Sequence, residues 1–116
     1  MAGKYFNGEE WVVKSKRVQE LVPHKDLPHV IDLAKSRLRA KQRFVKDKEL
    51  VEERINRSLV VFELMLNGST LQNAGNIIGR SRERARQIQA KICREIMTSY
   101  KIYKRSQKHG RYIRRH

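Results

Sequence analysis

The chain has 116 residues, of which 39% are hydrophobic and 34% charged, so it can bury one small core and must leave much of itself solvated. Lys and Arg number 27 against 12 acidic residues, a formal charge of +15. Charge that dense repels itself unless a polyanion is near, which makes nucleic acid the first partner to consider and an anionic membrane surface the weaker one. No apolar run reaches the roughly eighteen residues that a membrane span needs. "MAGKYFNGEEWVV" lacks the apolar stretch of a signal peptide, and Cys93 has no second cysteine to pair with, so an intracellular protein is expected. His24, His29, His109 and His116 are scattered without metal-ligand spacing, and no acid pair, nucleophile constellation or glycine-rich phosphate loop stands out. The chain is therefore expected not to be an enzyme and to need no cofactor and no metal.

Residues 1–26 read as an N-terminal arm. Asn7-Gly8 between "KYF" and "EEWVV" suits a tight hairpin turn, and the alternative is a mobile arm whose Tyr5, Phe6 and Trp11 dock elsewhere. Residues 27–48 form a basic helical unit, with a helix expected from about Pro28 to Val45. Asp26 is its expected cap, Pro28 fits the first turn, and Ile31 or Val30, Ala34, Leu38 and Val45 recur near helical period. Lys35, Arg37, Arg39, Lys41, Arg43 and Lys46 surround that stripe, either as a solvated face or as phosphate contacts.

From Glu49 to Leu66 the apolar positions Leu50, Val51, Ile55, Leu59, Phe62 and Leu66 mark a second buried stripe, ended by Asn67-Gly68. Ser69 and Gln72 form a candidate capping box for a short helix carrying Leu71, Ala74 and Ile78 on one face. Gly79 supplies a turn, and Ser81 caps a longer helix. The tail from Tyr100 carries seven Lys/Arg and no acid after Lys101, with Tyr100, Tyr103 and Tyr112 among the charges. It either extends the last helix to about His109 or forms a disordered basic tail, and the second is the expectation.

The helix after Ser81 carries the functional reading. With Arg82 at zero on a wheel of about 100° per residue, Arg86, Glu83 and Gln87 lie near 40°, 100° and 140°. Ala85, Ile88, Ile92 and Ile96 gather on the opposite side, between about 240° and 320°. The first two turns thus present the side chains that suit base edges: Arg for guanine, Glu for cytosine, Gln for adenine. Arg84 and Lys91, near 180° to 200°, suit phosphates at the groove walls. An exposed helix whose Glu and Arg pair with each other is the plainer alternative. The short helix and tight turn before it favour a helix-turn-helix.

"TLQNAGNIIGRSRERARQIQAKICREI", residues 70–96, resembles the C-terminal DNA-binding region (region 4) of bacterial housekeeping-type sigma factors. Thr70, Leu71, Gly75, Ser81, Arg82, Glu83, Arg84, Arg86, Gln87 and Ile88 match that pattern without a gap. The resemblance implies an all-α fold: a small helical domain at 49–97 with a region 4-like helix-turn-helix, preceded by the basic helix and followed by a basic extension at 98–116. It implies reading of a promoter −35-like element in double-stranded DNA through Arg82, Glu83, Arg86 and Gln87. Thr70, Arg80, Ser81, Arg84 and Lys91 would meet the DNA backbone. It also implies RNA polymerase as a partner, through the flap of its β subunit, with Phe62, Met65 and Leu66 as a polymerase-facing patch or as ordinary core.

Arg80 stands at a turn position that is usually Val or Ile in the family, Ala85 replaces a larger branched residue, and Gln72 and Asn73 replace acids, so base preference is expected to differ. No segment resembles the sigma regions that melt DNA, so the chain would recruit polymerase, work beside a separate sigma-like subunit, or block one. The expected setting is the cytoplasm of a bacterial cell, at the nucleoid, with a phage-encoded origin as the alternative. The competing readings are a polymerase-binding regulator or inhibitor with incidental DNA contacts, and a general nucleic-acid-binding basic protein.

Overall fold

A computed structural model describes residues 15–109. The candidate hairpin at Asn7-Gly8 and the residues beyond His109 lie outside the described residues. Within them the chain is all-helical: α1 (Ser15–Leu21), α2 (Leu27–Lys41), α3 (Lys48–Leu66), α4 (Leu71–Ile78) and α5 (Arg82–His109), with no strand. At 28 residues α5 is about 42 Å long, and it packs against each of the other four helices. Its apolar flank supplies Ile92, Cys93 and Ile96 to a core shared with Val18 and Val22, Val30 and Ala34 of α2, and Phe62 of α3. The remaining helices are arranged around this spine.

Residues 15–22, expected to belong to an arm, instead fold into that core. Val18 and Val22 are buried, and the backbone N–H of Ser15 donates to Oε1 of Gln89 on α5 at 3.2 Å. The hydroxyl of Ser15 lies 3.7 Å from the buried Cys93 sulfur. Two buried valines in a short charged segment are too little periodicity to see in sequence. The tertiary partner makes the helix.

The expected cap of α2 does not form. Asp26 already has helical dihedrals and no side-chain cap bond, because the turn opened at Pro23 runs straight into the helix. Its carboxylate is instead 3.5 Å from the hydroxyl of Tyr103 on α5. The helix stops at Lys41, short of Val45, where Phe44 would have needed cover and is 84% exposed. Asp47 caps α3 by accepting from the N–H of Leu50 at 3.1 Å. The cap of α4 is Thr70, whose hydroxyl accepts from the N–H of Asn73 at 3.1 Å. Ser69 is excluded because its own N–H closes the end of α3 onto the Leu64 carbonyl.

The stretch after residue 97 is no separate tail as far as it is described. Tyr100 and Tyr103 pack against the core, and the ring of Tyr103 stacks on His29 at 6.0 Å. Ser106 is buried and donates to the Tyr103 carbonyl at 2.8 Å. The same burial corrects one candidate surface residue. Phe62 is fully enclosed and cannot face a partner, Leu66 packs on the core, and Met65 is half-buried.

Candidate nucleic-acid interface

The approach to α5 is fixed by backbone. Gly79 has a φ of 70°, in the left-handed region, and ends α4 with its N–H on the Asn76 carbonyl. The N–H of Arg80 closes back on the Gly75 carbonyl at 2.8 Å. That closure brings the turn against Gly75, where a Cβ would sit 2.7 Å from the Arg80 oxygen and 2.9 Å from that of Ser81. Only a glycine leaves room for so tight a passage. Ala74 and Ala85 are also fully buried, so small side chains line the junction of α4 and α5. The smaller residue at 85 is thus accommodated in a closed site.

Ser81 then caps α5, its hydroxyl accepting from the N–H of Arg84 at 3.1 Å. The expected division of the helix holds in space. Ala85, Ile88, Ile92 and Ile96 are buried, while Arg82, Glu83, Arg84 and Gln87 are exposed and Arg86 is half-exposed. Thr70 and Arg80 are exposed at the two ends of α4, and Lys91 is exposed two turns into α5.

The polar tips are engaged with one another. Arg86 makes a two-pronged contact with Glu83, Nε to Oε1 at 3.0 Å and Nη2 to Oε2 at 2.6 Å. Arg84 donates to the side-chain oxygen of Gln87 at 3.2 Å. The hydrogen bond from Arg86 holds the Glu83 carboxyl below its ordinary range, outweighing the small loss of hydration, with Gln87 and the charge of Arg82 adding to it. The plainer alternative of pairing at neighbouring turns is therefore present on the same face as the candidate base-reading residues. Energetics do not oppose exchange. An exposed pair contributes about 0–1 kcal/mol, whereas a well-placed two-bond contact to a base discriminates by about 1–3 kcal/mol.

Further along α5 the fold assembles cations that come from separate segments. Lys91, Arg94 and Thr98 of α5 face Arg37, Leu38 and Lys41 of α2 across a cleft of about 310 Å³. On its floor is Glu95, whose side chain is only 5% exposed. It accepts from Arg37 Nε at 2.6 Å, Lys41 Nζ at 2.6 Å and the Ser99 hydroxyl at 3.1 Å. Burial alone would raise its pKa, but the bonds from Lys41 and Arg37 more than offset this and hold it low. Sequence reasoning missed Glu95 and Arg94. The wheel held a signal, since Glu95 falls near 220°, at the edge of the buried arc, where an acid needs a partner. Which cations would meet it depended on tertiary structure.

Of the other bases in α2, Arg39 is held by Glu52 of α3 through two bonds, at 2.7 and 3.0 Å. No group of three or more His, Cys, Asp or Glu among the described residues is placed to hold a metal. No helix among them is long and apolar enough to cross a membrane. Compared with protein-family models, curated proteins and solved structures, the chain shows no match to any of them.

Proposed function

We propose that this chain is a sequence-specific DNA-binding transcription factor that reads duplex DNA through the first two turns of α5, with α4 and the turn at Gly79 completing a helix-turn-helix. One observation carries the reading. Arg82, Glu83 and Gln87 project from the exposed start of a helix whose opposite flank, Ala85, Ile88, Ile92 and Ile96, is locked into the core. A side chain can discriminate bases only if its backbone is held rigidly against the groove, and the buried flank gives that rigidity. The resemblance of residues 70–96 to sigma region 4 supports the assignment of Arg82, Glu83, Arg86 and Gln87 to base edges. On this reading Thr70, Arg80, Ser81, Arg84 and Lys91 meet phosphates. RNA polymerase is the proposed protein partner, with Met65 and Leu66 left as the half-buried candidates for contact after the removal of Phe62.

The fork between Glu83 and Arg86 favours a second reading, a basic protein that coats nucleic acid without site preference, since it occupies both groups in the free protein. Substitution separates the two. Arg82→Ala and Glu83→Ala in the full chain are each expected to weaken binding to its best duplex by about 1–3 kcal/mol and to relax its sequence preference. If both variants bind best and random duplexes as the wild type does, α5 is not the reading element.

A further inference from the structure

We infer that the cleft between α2 and α5 is a second DNA-backbone site, a phosphodiester clamp made by Arg37, Lys41, Lys91 and Arg94 and set in place by Glu95. It rests on the proposed reading in one respect, that duplex DNA approaches the start of α5. Four cations line the cleft, and Glu95 contributes one negative charge, leaving a net +3 in a concave surface. Lys91 and Arg94 are exposed and pair with no carboxylate among the described residues. The side chain of Lys41 is 58% exposed while its ammonium is tethered to Glu95. A buried carboxylate that fixes an arginine and a lysine at one rim holds two long side chains in place before a ligand arrives, which lowers the ordering cost of binding.

Position on the helix selects the ligand. On the wheel, Gln87, Lys91, Arg94 and Thr98 fall between about 120° and 180°, one continuous stripe from the candidate base-reading turns into the cleft. Arg94 is about 10 Å beyond Gln87 along the axis, comparable with the width of the major groove, about 12 Å. A helix entering the groove by its first turns therefore carries the cleft to the groove wall, where the phosphates of one strand run. A neighbouring concavity shares Arg37 and Lys41 and extends to Arg43, so the positive track continues past the clamp along α2. The density of phosphodiesters along a duplex suits several cations in a row, whereas a single small anion would need only one corner of the cleft.

The test is a salt titration of binding to duplex DNA by the full chain, comparing wild type with the double variant Lys91→Gln/Arg94→Gln. Each phosphate contact contributes a slope of about 0.9 in log affinity against log salt, so the variant's slope should fall by about two. Affinity for duplexes of every sequence should drop on the order of tenfold, and the ratio of best to random duplex should stay as in the wild type. The double variant Lys16→Gln/Lys25→Gln removes the same charge from exposed positions outside the cleft and should change the slope much less. An equal fall in both variants, no fall in either, or a loss of preference with an unchanged slope would each overturn the clamp. A wild type without site preference whose slope still depends on Lys91 and Arg94 would overturn the base-reading proposal and keep the clamp. Failure of the wild type to bind duplex at all would remove both.

Discussion

Glu95 combines two ion-pair contacts of 2.6 Å with nearly complete burial, and its behaviour under acid follows from that. Its folded-state pKa is held below the ordinary glutamate value of about 4.3, because the bonds from Lys41 and Arg37 outweigh burial. A depressed carboxylate pKa gives stability that is complete above the unfolded value and disappears as pH falls through the folded one. In urea unfolding followed from pH 7 to pH 3, the wild type should therefore lose stability below about pH 4.3, and Glu95→Gln should lose less over the same window. At neutral pH the variant should be weaker by about 1.5–3 kcal/mol, the usual contribution of hydrogen bonds to a charged group. Equal acid slopes in the two proteins would mean that another carboxylate carries the effect. At the same scale, Arg82, Glu83, Arg86 and Gln87 were visible from helical period alone, because the period decides which side of a helix faces out. That Glu83 and Arg86 hold each other was foreseeable only as an alternative, since a helix allows that pair as readily as free tips.

Gly75 and Gly79 decide how α4 delivers the chain to α5. A methyl group at residue 75 would press on two backbone carbonyls at 2.7 and 2.9 Å, and backbone cannot step aside as a side-chain end can. Gly75→Ala should therefore destabilise the fold by about 1–3 kcal/mol, seen as a lower denaturation midpoint at an unchanged slope. An unchanged midpoint would show that the turn is looser than described. By moving the start of α5, the same substitution should also lower any preference for one duplex over another.

Elements with strong apolar period were legible, and α3, α4 and α5 begin within a residue or two of where the pattern puts them. Helix α1 was not, because its stability comes from burying Val18 and Val22 against α3 and α5 and from the Ser15–Gln89 contact, which spans 74 residues. The caps at Asp26 and Ser69 failed for a local reason. Each residue suited a cap chemically, but the preceding turn had already engaged its backbone.

At the scale of the whole molecule, the excess of positive charge among the described residues falls mostly on α5 and α2. The sequence announced the charge but not its assembly, since Arg37 and Lys41 approach Lys91 and Arg94 only once α2 packs against α5. A long basic helix with a buried flank serves two ends on this account. Its first turns select a sequence, and its middle, with α2, supplies affinity that any duplex can satisfy. Salt should act on these unequally, weakening binding steeply while leaving the ratio of best to random duplex nearly constant. The most direct check of the central claim is selection of duplexes from a random pool by the full chain at moderate salt. A sharp consensus that flattens in Arg82→Ala and Glu83→Ala is the predicted result. A pool that stays random through successive rounds, with the protein bound, would contradict it.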